Sequence, residues 1–210
     1  MALGFILLLV TALMPSTLAS TELHNACAQG PTSTLISLLS TSSNPYALLS
    51  STTPEHETCL HLLGIEADPP RLSALTSYIT PHESSAGTAA AASLYNARVA
   101  TPTGLDMPPV SWFVFGGHVS AVRHLLGQPL ASPNVVFRNE QGGKITILDV
   151  AAGIFESVHG GAHRLMREEE KLALREGGDK WLLMVELIEE WGGVVADEAR
   201  LGLGRDPMEL

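Results

Sequence analysis

The chain has 210 residues, 45% of them hydrophobic but only 5% aromatic, which suits one ordinary domain or one short repeat array with an aliphatic core. Its formal net charge of −10 is uneven, with 7 acidic and 4 basic residues in 1–139 against 15 and 8 in 140–210. The sequence shows no basic face of the kind that replaces phosphate counterions, so no nucleic-acid partner is expected and the acidity reads as solubility.

Residues 1–20, MALGFILLLVTALMPSTLAS, differ from all that follows. Phe5 to Met14 form an apolar run closed by Pro15, and Thr17-Leu18-Ala19 offers small residues at a signal-peptidase site. The run is shorter than the roughly 20 apolar residues that span a bilayer. Because no Lys or Arg precedes it, two readings stand: a cleaved secretory signal, or a buried cap helix in a cytoplasmic protein. No later segment is long and apolar enough to cross a membrane, so none is expected in the mature chain.

The next stretch, LHNACAQGPTSTLISLL, predicts a short helix from Leu23 to a turn at Gly30, then a second helix with Leu35, Leu38 and Leu39 on one stripe. TCLHLLGIEADPPRLSALTSYI repeats the pattern from Leu60, with Ala67 at the turn. Cys27 and Cys59 are the only cysteines; one bridge is allowed, and each also reads as a small buried apolar group. Residues 80–106, with SSAGTAAAAS at their centre, show no apolar stripe and are expected to form a loop insertion. PPVSWFVFGGHVSAVRHLL restores the pattern, with Val110 opening a helix that ends at Gly117, and Val119, Val122, Leu125 and Leu126 striping the next. TILDVAAGIF opens a fourth unit at Leu148. Residues 156–180 form a second insertion, a helix ending at Gly177-Gly178, and WLLMVELIEEWGG supplies the last second helix, with Trp181 and Trp191 covering an open end.

The aligned apolar residues Leu23, Leu60, Val110 and Leu148 give four copies of a helix-turn-helix unit that cannot close a core alone. These units resemble the ankyrin repeat: Gly117-His118, Val122, Leu125 and Leu126 match its second helix, and Leu23-His24 and Leu60-His61 stand at its Leu-His pair. Ser111 and Asp149 replace the histidine, and Leu63 and Phe113 replace a small Ala. The resemblance implies an all-α solenoid over 21–200, with units near 21–54, 55–100, 101–140 and 141–195, hairpin fingers between them, and a 201–210 tail. It implies structural roles for His24, Gly30, His61, Gly117 and His118, with His24 and His61 bonding turn backbone between units. It also implies a concave groove that binds a protein partner through Asn25, Leu62, Glu66 and Trp112 on the first helices, and Arg138 and Asn139 on the finger before the fourth unit. Trp112 has a second reading, as cover for the neighbouring unit.

No pattern predicts chemistry. HETCLH spaces His56 and His61 five apart, which turns the second ring about 140° from the first on a helix and spoils the metalloprotease geometry. His159 and His163 are four apart but separated by Gly160-Gly161, and GLGRDP at 202–207 lacks a phosphate loop's Lys and Ser/Thr. The expectation is a non-enzymatic binding module with no catalytic residue, metal or cofactor. The alternatives are an enzyme or metal activity carried by the insertions, or a degenerate array without a tight partner.

Overall fold

The computed structural model describes residues 18–79, 85–100, 106–139 and 141–196, and these are mostly helical. A helix α1 covers 18–28. It is followed by α2 (Thr32–Thr41), α3 (Pro45–Leu49), α4 (Cys59–Glu66), α5 (Pro69–Ile79) and α6 (Ser85–Tyr95). Strands β1 (Val99–Ala100) and β2 (Asp106–Met107) pair antiparallel, then come α7 (Pro109–Gly116) and α8 (Val119–Leu126). A second antiparallel pair, β3 (Phe137–Arg138) and β4 (Lys144–Ile145), leads to α9 (Ile147–His159), a single 3₁₀ turn (His163–Leu165), α10 (Glu168–Glu176) and α11 (Lys180–Glu190). Residues 1–17 and 201–210, which hold most of the leader and the whole tail, lie outside the described residues. Among the described residues, no helix is long and apolar enough to cross a membrane.

Helices α4, α7 and α9 pack in sequence side by side, while α2 packs on α5 and α8 on α11. The apolar stripes explain this arrangement. Leu35 and Leu39 of α2, Leu72 and Leu75 of α5, Val122, Leu125 and Leu126 of α8, and Leu182, Val185 and Ile188 of α11 are all buried at helical spacing. The core is aliphatic as composition implies, with Phe113, Phe137 and Phe155 its largest enclosed side chains.

From Asn96 and from Asn134 to the start of the following helix the repetition is strict, at an offset of 38 residues. Asn96, β1, β2 and α7 begin at 96, 99, 106 and 109; Asn134, β3, β4 and α9 begin at 134, 137, 144 and 147. Each asparagine grips the loop that follows the next pair's second helix. Asn96 Nδ2 donates to the Leu130 carbonyl at 2.9 Å and its Oδ1 accepts from Ser132 N–H at 3.1 Å. Asn134 does the same to the Gly192 carbonyl (3.0 Å) and Val194 N–H (2.9 Å). A primary amide has one donor face and one acceptor face, so it satisfies both peptide groups at once.

Two sequence expectations are corrected here. The segment 80–106 is not one loop: its alanine run has the highest helix propensity and forms α6, which buries Ala91, Leu94 and Tyr95 at i, i+3 and i+4 and packs on α3. Val99–Ala100 and Asp106–Met107, the paired strands β1 and β2, belong to the finger of the next unit, so the excursion is shorter than expected. Gly30 is the second correction, since it does not adopt a left-handed conformation. A Cβ there would stand 2.6 Å from the Ala26 Cα, so close backbone approach excludes a side chain. Gly117 (φ 70) and Ala67 (φ 49) do end α7 and α4 in the left-handed region, as their matching positions imply.

Cys27 and Cys59 form a buried disulfide, Cα atoms 5.5 Å apart, that staples α1 to the start of α4. Beside it, buried Arg71 donates to the Cys27 carbonyl at 3.1 Å and to Glu66 Oε2 at 2.8 Å. A guanidinium fork thus caps the C-terminal carbonyl of α1 and ties it to the end of α4. The excursion between α9 and α11 closes on itself: His159 Nε2 lies 3.1 Å from Asp179 Oδ2, and buried His163 Nε2 lies 3.2 Å from Glu189 Oε1. The two imidazoles serve separate carboxylates, Asp179 at the N-cap of α11 and Glu189 in its last turn, and pack around Phe155.

Candidate interaction surface

The third residue of α4, α7 and α9 is His61, Ser111 and Asp149, all facing the joints between units. His61 Nδ1 accepts from Thr58 N–H at 3.2 Å, and Nε2–H donates to the Met107 carbonyl at 3.2 Å across the joint. Burial holds its pKa down at about 4, so the ring is neutral in this role. Asp149 performs the task with reversed polarity, its Oδ2 accepting from Thr146 N–H (2.8 Å) and from Ala196 N–H (3.0 Å). Ser111 is too short to cross, and its hydroxyl is enclosed with no partner among the described residues. His24 also bridges, its Nε2 lying 3.1 Å from the Ser51 carbonyl. These positions hold the stack in register and leave other faces of the first helices for contact.

The expected contact residues divide. Leu62 is only 8% exposed, so it belongs to the core between α4 and α7 and not to a binding face. Glu66 pairs with Arg71 while its side chain stays 54% exposed, and Asn139 builds the finger turn, its Oδ1 accepting from Gly143 N–H at 2.7 Å and from Gln141 N–H at 3.1 Å. Trp112 is half-buried against Gly64, with its indole N–H enclosed and unpartnered among the described residues; the covering role is the one its geometry favours. His118 lays its ring against Gly116 at the entry to α8. Asn25 remains exposed on α1, and Arg138 remains exposed on the finger, directly opposite Lys144.

Two residues that the sequence reading passed over complete the surface. Ile65 and Phe115 are the seventh residues of α4 and α7, one helical step beyond Leu62 and Trp112, and are 60% and 47% exposed. The same place on two helices that pack together therefore carries a large apolar side chain facing solvent. The available signal was position: both residues fall outside the buried stripe, immediately before the turn. At the finger, Arg138 and Lys144 face each other in register and neither makes an ion pair among the described residues. Like charges in that arrangement oppose each other; Arg138 donates only a long bond, 3.5 Å, to the Gly142 carbonyl, so the pair presents positive charge at the finger.

Among the described residues, no group of three His, Cys, Asp or Glu side chains is placed to hold a metal ion. An open groove of about 1130 Å³ lies at the first unit, lined by Thr21, His24, Asn25, Ser43, Leu48 and Thr52 among others. Compared with protein-family models, curated proteins and solved structures, the chain matches none. The functional reading therefore grows from this geometry and from the repeating pattern.

Proposed function

We propose that the chain is an ankyrin-type repeat module whose work is to bind a protein partner, without catalysis, through the exposed face of α4 and α7 and the β3–β4 finger. The observation that carries this reading is the pairing of Ile65 and Phe115 at equivalent places on adjacent helices. Exposed apolar side chains scattered singly are ordinary, but two at the same position of helices that pack on each other make a surface suited to a partner. Support for the repeat family comes from the Asn96 and Asn134 clamps, the bridging His61 and Asp149, and the left-handed turns at Ala67 and Gly117. We further propose maturation in the secretory pathway, which the apolar leader and the buried Cys27–Cys59 bridge favour.

The test places a photo-crosslinking amino acid at Ile65, at Phe115, or at Ser73 on the exposed side of α5, in the full chain within its producing cell. Ile65 and Phe115 are expected to trap the same discrete partner and Ser73 none. Equal trapping at all three, or none at 65 and 115, removes this face from consideration.

A further inference from the structure

From Leu23 to Pro54 the chain carries no Asp, Glu, Lys or Arg, although its net charge is −10. Half of residues 31–54 are Ser or Thr, 12 of 24, so hydroxyls take over the solvation that charges provide elsewhere. Four of these hydroxyls, on Thr32, Ser33, Thr34 and Ser37, lie along helix α2, and the other eight are of two kinds. Thr41 and Ser40 bond back to the Ser37 carbonyl within α2, Ser51 donates to the Leu48 carbonyl, Ser42 accepts from Asn44 N–H, and Thr53 accepts from Glu57 N–H. Ser43, Ser50 and Thr52 are exposed, stand outside helices, and make no side-chain hydrogen bond with the described residues. Ser43-Asn44-Pro45 and Thr52-Thr53-Pro54 each place a proline two residues on, which keeps the intervening residue out of helical conformation. Asn44 shows this directly, at φ −142 and ψ 81. Although nine residues apart in the chain, Ser43 and Thr52 line the same open groove beside α1.

We infer that Ser43, Ser50 and Thr52 are acceptors for O-linked glycans, which cover the uncharged end of the stack. This rests on the secretory reading above. An enzyme that modifies a hydroxyl needs it exposed, not already engaged, and on irregular backbone, and proline-flanked Ser/Thr-rich segments are the compositional form such acceptors take. The chain has no Asn-x-Ser/Thr acceptor, so sugar attached during secretion is O-linked. In the transfer, the acceptor oxygen bonds the anomeric carbon of a phosphate-activated sugar, that carbon's bond to phosphate breaks, and the hydroxyl proton passes to the departing phosphate.

The full chain, produced in a eukaryotic cell and recovered from the medium or secretory lumen, is reduced and cut after glutamate, which isolates residues 23–55. That peptide is expected to carry one or more sugar-sized mass increments, removed by β-elimination, insensitive to phosphatase, and lost from a Ser43→Ala/Ser50→Ala/Thr52→Ala variant. An unmodified peptide in secreted protein overturns the inference while leaving the secretory reading intact. Increments that persist in the triple variant, or that phosphatase removes, overturn it as well. Recovery of the whole chain in the cytosol, with Met1 retained, overturns both.

Discussion

Gly64 and Trp112 meet where α4 packs on α7, so closely that a Cβ at position 64 would stand 2.5 Å from the Cβ of Trp112, with the Phe113 ring at 3.4 Å. Neither obstacle is a flexible side-chain end, so the helices themselves must separate to admit a methyl group. Gly64→Ala is expected to destabilise the protein by about 1–3 kcal/mol, read from chemical denaturation, with a shift in tryptophan emission as Trp112 moves. An unchanged midpoint would show that this contact is looser than it looks.

Gly153 gives the opposite expectation. It sits inside α9, exposed, and nothing lies within 4 Å of where its Cβ would be. Gly153→Ala removes backbone freedom from the unfolded chain at no steric cost and should stabilise by about 0.5–1 kcal/mol. The same measurement checks it.

His61 predicts the pH response. Its folded pKa of about 4 lies below the ordinary imidazole value of 6.5, so between those values the unfolded chain binds a proton that the folded chain does not. Its contribution is full above about pH 6.5, declines as pH falls, and is spent near pH 4; the span is on the order of 3 kcal/mol. His61→Gln should flatten that part of the stability profile relative to the wild-type chain, whatever it does to absolute stability.

The bridge between Cys27 and Cys59, 32 residues apart, restricts the unfolded chain by closing a long loop. Reduction, or replacement of both cysteines by alanine, should cost about 2–4 kcal/mol. Hydrogen exchange should rise first in α1, whose other named attachments are the His24–Ser51 and Arg71–Cys27 hydrogen bonds. A uniform rise across all helices would instead mean that the staple acts on the whole stack.

Asn96 and Asn134 make matching clamps, so Asn96→Ala and Asn134→Ala should each strand one carbonyl and one N–H and cost about 1–3 kcal/mol. The aspartate variants test the mechanism, because a carboxylate keeps the acceptor and loses the donor. A smaller loss for aspartate than for alanine is the expected order.

Much of the architecture was legible because it depends on apolar spacing. Val122, Leu125 and Leu126 mark a buried helix face wherever they occur, and Gly117 marks a turn that needs positive φ. What sequence did not reveal depends on partners distant in the chain. The role of Asn134 is invisible without Gly192 and Val194, nearly sixty residues on, and Asp149 reads as a lost histidine until its bond to Ala196 N–H is seen. α6 was missed because alanine was counted as loop filler, although Ala91, Leu94 and Tyr95 carry the stripe. On the surface, spacing alone did not mark Leu62 as a core residue, and the partners of Glu66 and Asn139, Arg71 and Gly143, become visible only in the fold. Whether a position faces the core or the solvent turns on about 100° of helix rotation, which a degenerate repeat leaves unmarked.

The pairing of His159 with Asp179 brings together the two ends of a twenty-residue excursion. Asn134 meanwhile spans from the finger to Gly192 without touching it, and α11 packs on both α8 and α9. The stack is therefore already closed beneath this segment, and lengthening it costs little, about 0.6 kcal/mol for each doubling of a flexible loop. That makes the Gly160-Gly161 corner, where added side chains would meet nothing within 4 Å, a natural port for grafting a reporter or a foreign epitope without disturbing the spacing of the helices below.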